Sequence, residues 1–280
     1  MGIDGSERNH AAIAWAAAEA ALGRRPLLLV HVLDERRVPS PFHRLETDDQ
    51  HAWRLLDSVE SELQRTAPAL VVRKDVPVGH VATSLVERTA GQSELVVGRR
   101  GAGAFRRLLL GSTSLDAASR AQVPVIVVPD RWSGSENASA PVVVGVDRRR
   151  AQPDVFHYAF TQARTRRVAL IAAHGRGIPD ADRRTPRLGT SETGPVESDD
   201  PGAIAGILEP YRTAFPDVDV AVLDRAGHPL AVLLDDVGTT QLLVLGRRDD
   251  HQQDRFAFGS VAHGVLHYAE VPVAIVPPRH

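Results

Sequence analysis

Two short stretches carry the residue types that could handle a bulky anion. Gly98-Arg99-Arg100-Gly101 follows the apolar run Leu95-Val96-Val97, and Gly111-Ser112-Thr113-Ser114 precedes a segment with helical character. Glycine removes the Cβ that would block a close approach and tolerates positive φ. A helix start presents unpaired N–H groups and a partial positive charge. Arg99, Arg100, Arg106 and Arg107 add positive potential around the pair. The chemistry this supports is the cradling of phosphate. The bland alternative is a glycine-rich connection with solvated arginines, because glycine spacing alone is a modest signal.

Other chemistries find little support. Lys74 is the only lysine and sits in the strand-like run Val71-Val72-Arg73-Lys74, so the glycine–lysine loop of a P-loop NTPase is excluded. No cysteine is present, which removes disulfides and thiolate metal sites. His263 and His267 have the i, i+4 spacing of a zinc pair, but no third ligand stands at a motif spacing. Neither a G-x-S-x-G elbow nor an H-E-x-x-H pair occurs, and Ser112 has no base nearby in sequence, so no catalytic residue is assigned. The formal net charge of -2 argues against a nucleic-acid partner, and no apolar run approaches a bilayer span. Without a visible signal peptide, a cytoplasmic location is the expectation.

The elements that must position the loop repeat. Gly2-Ile3-Asp4 and His31 recur as Gly145-Val146-Asp147 and His174, at an offset of 143. Gly79-His80, Gly98, Gly111-Ser112 and Val123-Pro124-Val125 recur as Gly227-His228, Gly246, Gly259-Ser260 and Val271-Pro272-Val273, at an offset of 148. The extra residues fall in the aperiodic stretch from Arg176 to Gly202, read as a loop. The 280 residues therefore divide into 1–130, a Ser/Gly/Asn-containing linker at 131–140, and 141–280.

Each copy alternates strands and helices, which predicts an α/β fold with a parallel sheet covered on both faces. Ala11 to Leu22 reads as a helix with Ser6 suited to its N-cap, and Trp15 and Trp53 read as core. His31 and His174 read as hydrogen-bonded packing at strand exits, and His80 and His228 as surface at helix starts. Ligands in such sheets lie beyond the carboxyl ends of the strands, where strand order reverses. Asp4 and Gly98 both stand at such ends. Asp4 alone could equally cap the first helix.

The spacing Gly-2x-Gly-9x-Gly-Ser, filled by Gly98, Gly101, Gly111 and Ser112, resembles the ATP-binding signature of the universal stress protein family. The opening Gly2-Ile3-Asp4-Gly5-Ser6-Glu7 and the ending Val123-Pro124-Val125-Ile126-Val127-Val128-Pro129 resemble it as well, and the likeness covers both halves. The resemblance implies two tandem doubly wound domains, each a five-stranded parallel sheet of order 3-2-1-4-5. It implies ATP, with or without magnesium, with Asp4 and Val32 near the nucleoside and Gly98, Gly101, Gly111, Ser112 and Thr113 around the ribose and phosphates. It also implies that the last strands, from Val123 and Val271, pair within the chain, across a homodimer, or both. The function implied is a stress-response regulatory protein. The alternatives are a slow ATPase or nucleotidyl-transferring enzyme on the same fold, and a scaffold without nucleotide.

Two departures from the pattern bear on this. Only Met1 precedes Gly2, whereas Val142-Val143-Val144 precedes Gly145, so the first strand of the first copy is truncated and an upstream start is expected. In the second copy Asp249 replaces the middle glycine, with Asp250 and Asp254 following. A carboxylate aimed at phosphate repels it by roughly 1 kcal/mol at 4 Å in water, and by more where water is excluded. The second site, Asp147, Gly246, Gly259 and Ser260, is therefore expected to be weak. Arg247, Arg248 and Arg255 could instead pair with those acids as a structural use of the same residues.

Overall fold

The computed structural model of the chain describes residues 1–35, 46–101, 110–134, 138–150, 152–177, 202–236, 239–248 and 259–278. Arg106, Arg107, Asp249, Asp250, Asp254 and Arg255 lie outside them, as does most of the stretch from Arg176 to Gly202.

The first half runs α1 (His10–Leu22), β1 (Leu27–Val30), β2 (Leu33–Asp34), α2 (Glu46–Thr66), β3 (Val72–Asp75) and β4 (Val78–Gly79). It continues through α3 (Val81–Glu87), β5 (Leu95–Gly98), α4 (Ser112–Arg120) and β6 (Val125–Val128). The second half runs β7 (Val142–Gly145), α5 (Pro153–Arg166), β8 (Leu170–Gly175), α6 (Gly202–Ala214) and β9 (Val220–Arg225). After α7 (Pro229–Ala231) and a short π-helical turn come β10 (Leu242–Gly246), α8 (Gly259–Tyr268) and β11 (Val273–Val276).

The central sheet has seven strands in the order β5-β6-β11-β10-β7-β8-β9. Its last five, read from the far edge as β9-β8-β7-β10-β11, give the expected 3-2-1-4-5 order of the second half. The first half departs from that plan. β1 and β3 form a separate two-stranded sheet, β2 and β4 form another, and the opening residues make one isolated bridge, Gly2 to Val30. The stub nevertheless occupies the place of strand one. Val30 N–H donates to Met1 O at 2.9 Å, Ile3 N–H to Val30 O at 2.8 Å, and Gly2 N–H to Val96 O at 3.0 Å, so it links β1 to β5.

The halves join through their last strands inside one chain. β6 and β11 pair antiparallel, with Ile126 opposite Ala274 and Val127 opposite Val273. Residues 126 and 274 are equivalent in the repeat, so the join is a local two-fold. β6 lies between β5 and β11, and β11 between β6 and β10, so neither keeps an open edge for a second chain.

Alternation along the strands divides the core into two layers. Val142 and Val144 face a cluster containing Trp15, Leu56, Phe156 and Phe160, while Val143 faces one containing Leu85, Ala117, Leu243 and Val265. The alanines of α1 let that helix lie close on the sheet, with Ala12, Trp15 and Ala16 buried. Trp53 departs from its expected core role and is 40% exposed. The inward face of α2 is Ala52, Leu56, Val59 and Leu63, and residue 53 turns about 100° away from it.

A buried polar network also crosses between the halves. Arg166 bonds Glu19 and Gln162, while Glu94 accepts from Arg25 Nη2 and from Tyr158 Oη, each at 3.0 Å. Burial first, then the Glu19 charge, raises the Glu94 carboxyl above its ordinary value.

Candidate functional site

The first cleft is built where β5 ends. Arg99 N–H continues the ladder to Val128 O at 2.7 Å, and Arg99 O accepts from Gly111 N–H at 2.8 Å, closing the base of the glycine loop. Both ends leave little room for a side chain. A Cβ on Gly98 would meet Arg100 O at 3.3 Å, and one on Gly111 would meet Arg99 O at 3.3 Å. Gly111 stands in extended geometry as the N-cap of α4, and the buried Ser114 hydroxyl donates to Gly98 O at 2.7 Å. This bond pins the first turn of α4 to the end of β5.

Opposite the loop, the truncated strand delivers Asp4. Its Oδ1 accepts from Ser6 N–H at 2.9 Å and Ser6 Oγ at 2.8 Å, an Asx-type turn that fixes the side chain. The Ser6 hydroxyl is thereby used, and it does not cap the following helix as the sequence suggested. Asp4 Oδ2 lies 2.8 Å from the position a Cβ on Gly101 would take. His31 Nδ1 is 2.8 Å from Ile3 O; since a carbonyl only accepts, Nδ1 carries the proton there.

These pieces enclose a cleft of ≈ 540 Å³, within the usual range for small-ligand sites. Asp4, Val32, Gly98, Gly101, Gly111, Ser112 and Thr113 all line it, so all seven residues singled out from sequence meet at one place. The structure adds Asn9, Asp34, Asp48 and His51, which the sequence reading passed over. Asn9 is 3% exposed at the start of the first helical segment, and its Oδ1 is buried without a partner among the described residues.

Of the four arginines, two are described, and of these Arg100 lines the first cleft while Arg99 does not. Arg100 pairs with Asp130 at 2.6 Å. Arg99 turns away from the cleft and donates to Ala269 O at 2.9 Å and His267 O at 3.3 Å in the other half. Burial lowers its pKa from the ordinary value.

The second cleft, of ≈ 300 Å³, is lined by Asp147, Gly246, Gly259 and Ser260 among others. A Cβ on Gly246 would meet Gln152 Nε2 at 2.5 Å, so the Gln152 side chain fills space that the smaller Asn9 leaves in the first half. Val261 and Ala262 stand where Thr113 and Ser114 stand in the first copy, so two hydroxyls are lost. His174 Nδ1 lies 3.2 Å from Asp224 Oδ1 at the cleft wall, and Arg247 donates to Ala121 O at 2.5 Å. His228 caps α7 by accepting from Leu230 N–H at 3.2 Å, and His80 Nδ1 lies 3.3 Å from Thr83 Oγ1. His263 and His267 have ring centroids 4.5 Å apart, and no metal-holding group of three or more His, Cys, Asp or Glu is found among the described residues. Nor is any described helix long and apolar enough to cross a membrane.

The fold and sequence have clear relatives. The profile of the Universal stress protein family matches residues 1–129 and 139–277. A universal stress protein of Mycolicibacterium smegmatis is 30% identical over 289 residues, covering 100% of this chain and 96% of its own length. One of Mycobacterium tuberculosis is also 30% identical, over 98% of this chain and 94% of its own. Among solved structures, a universal stress protein from Archaeoglobus fulgidus superposes with a TM-score of 0.76 at 20% identity, over 99% of this chain and 96% of that one. With the family profile matching both halves, the sheet order of the second half and relatives matched over nearly their whole length, this chain belongs to the universal stress protein family as a member that carries the unit twice.

Proposed function

We propose that the chain is an ATP-binding regulatory protein of the stress response, a binding module whose competent site is the cleft of the first half. The observation that carries this reading is the convergence of four separate segments on one cleft at the carboxyl ends of the strands. Asp4, the Val32 region, the Gly98–Gly101 turn and the start of α4 all line it. The Gly101 backbone with the α4 N–H groups suits phosphate, and the Asp4 carboxylate suits ribose hydroxyls. Asp34 and Asp48 also line the cleft, so a bare triphosphate would meet repulsion and the magnesium complex is the form expected to bind.

The second cleft is read as weak. Its smaller volume, the Gln152 side chain over Gly246 and the missing hydroxyls support that reading beside Asp249. We read the domains as residues 1–130 and 141–280, joined by 131–140. Calorimetric titration with Mg-ATP tests the function. One site per chain is expected, abolished by Asp4→Ala together with Ser112→Ala and unaffected by Ser260→Ala. Absence of binding to the wild type would overturn it.

A further inference from the structure

We propose that Arg99 and Arg247 are positioning residues that act across the local two-fold. Each is rooted in the loop of one cleft and holds the helix that forms the wall of the other, which couples the two clefts. Arg99 belongs by its backbone to the first glycine loop, where its carbonyl accepts from Gly111 N–H. Its guanidinium donates to Ala269 O and His267 O at the carboxyl end of α8. The amino end of that helix, Gly259 and Ser260, lines the second cleft. Arg247 follows Gly246 in the second loop and donates to Ala121 O at the carboxyl end of α4. The amino end of α4, from Ser112, lines the first cleft. Residues 99 and 247 are equivalent in the repeat, as are 121 and 269, so the contact occurs twice in crossed form.

The last carbonyls of a helix lack intrahelical partners and carry its negative end, so a guanidinium there is bound both by hydrogen bonds and by the dipole. α4 and α8 are short helices of 9 and 10 residues, so holding the carboxyl end constrains the N–H groups presented to the cleft at the other end. The β6–β11 ladder supplies the frame against which both rods are held. A ligand that shifts the first loop therefore biases the helix of the second cleft, and a change in the second loop biases the helix of the first.

The ligand part of this inference rests on the nucleotide reading of the first cleft, whereas the positional part does not, and the experiment separates them. Amide hydrogen exchange is measured on the ligand-free full chain for wild type, Arg247→Gln, Arg247→Lys and Arg166→Gln. Arg166→Gln breaks another contact between the halves without touching either loop. Exchange at Ser112 to Leu115 is expected to rise in Arg247→Gln, to rise less in Arg247→Lys, and to stay at the wild-type level in Arg166→Gln. Mg-ATP affinity at the first cleft is expected to fall about fivefold in Arg247→Gln. Unchanged exchange at Ser112 to Leu115 in Arg247→Gln, or an equal rise in Arg166→Gln, would overturn the proposal. If wild type binds no ATP, the functional reading fails and the exchange comparison still decides the positional claim. If Arg247→Gln does not fold, Arg247→Lys carries the same comparison.

Discussion

The Asp4 carboxylate and the Gly101 backbone are within contact distance, with Asp4 Oδ2 2.8 Å from the position of a Cβ at residue 101. Any Cβ must displace a carboxylate that Ser6 holds by two hydrogen bonds. Gly101→Ala is therefore expected to leave the fold intact by circular dichroism and to weaken Mg-ATP binding. Ser6→Ala, which loosens the same carboxylate from the other side, should weaken it in the same direction. Each hydrogen bond concerned is worth about 1 kcal/mol, or roughly fivefold in affinity.

Arg166 and Glu19 are paired with side chains 8% and 5% exposed, and they join the two halves. Removing Arg166 leaves the buried Glu19 with Arg25 alone, whose Nη2 lies 3.5 Å away, and loss of a buried partner costs up to about 3–5 kcal/mol. Arg166→Leu should lower the urea midpoint accordingly, and Arg166→Leu with Glu19→Leu should recover most of the loss. Equal stability of the single and double variants would contradict the pairing.

At the join of the halves, Ile126 is fully buried opposite Ala274. Ile126→Ala should cost about 2–5 kcal/mol, as for other large-to-small core changes. Because the strand is interior to the seven-stranded sheet, both halves should lose stability together in one transition. A loss confined to one half would show that the ladder does not unite them.

His267 lies below the ordinary imidazole value, through burial first and then the charges of His263 and Arg99. The unfolded chain therefore takes up this proton first. The contribution is complete above the unfolded value of about 6.5 and is lost as pH falls through that value toward the folded one. Glu94 has the opposite sign. Its raised carboxyl contributes stability below about 4.5 that is lost as pH rises through the folded value. Stability measured from pH 7.5 to 5.5 should decline less steeply in His267→Gln than in wild type.

Much of the fold was legible because it depends on local patterns counted twice. The strand runs, the glycines at their exits and the Val-Pro-Val endings fixed the order of elements, and the family resemblance supplied the strand order seen in the second half. The first half fell short of a five-stranded sheet because Met1 to Ile3 can bridge two strands without forming a ladder with either. Trp53 was misread because apolar content does not report which side of a helix a residue occupies. The site was legible where glycine was required by close approach. It was not legible at Asn9 or Asp34, which reach the cleft only through the packing of α1 and the position of β2. Arg99 shows the same limit. Its type and place suggested phosphate, while its side chain extends across the join to a helix end 170 residues later.

The most direct measurement is Mg-ATP titration of the wild-type chain beside Gly101→Asp, the change that the second copy carries naturally at Asp249. Binding at one site in the wild type, reduced at least tenfold in a folded Gly101→Asp protein, is the result expected from a carboxylate placed against both Asp4 and the phosphates. Equal affinity in the two proteins would contradict the assignment of the nucleotide to the first cleft.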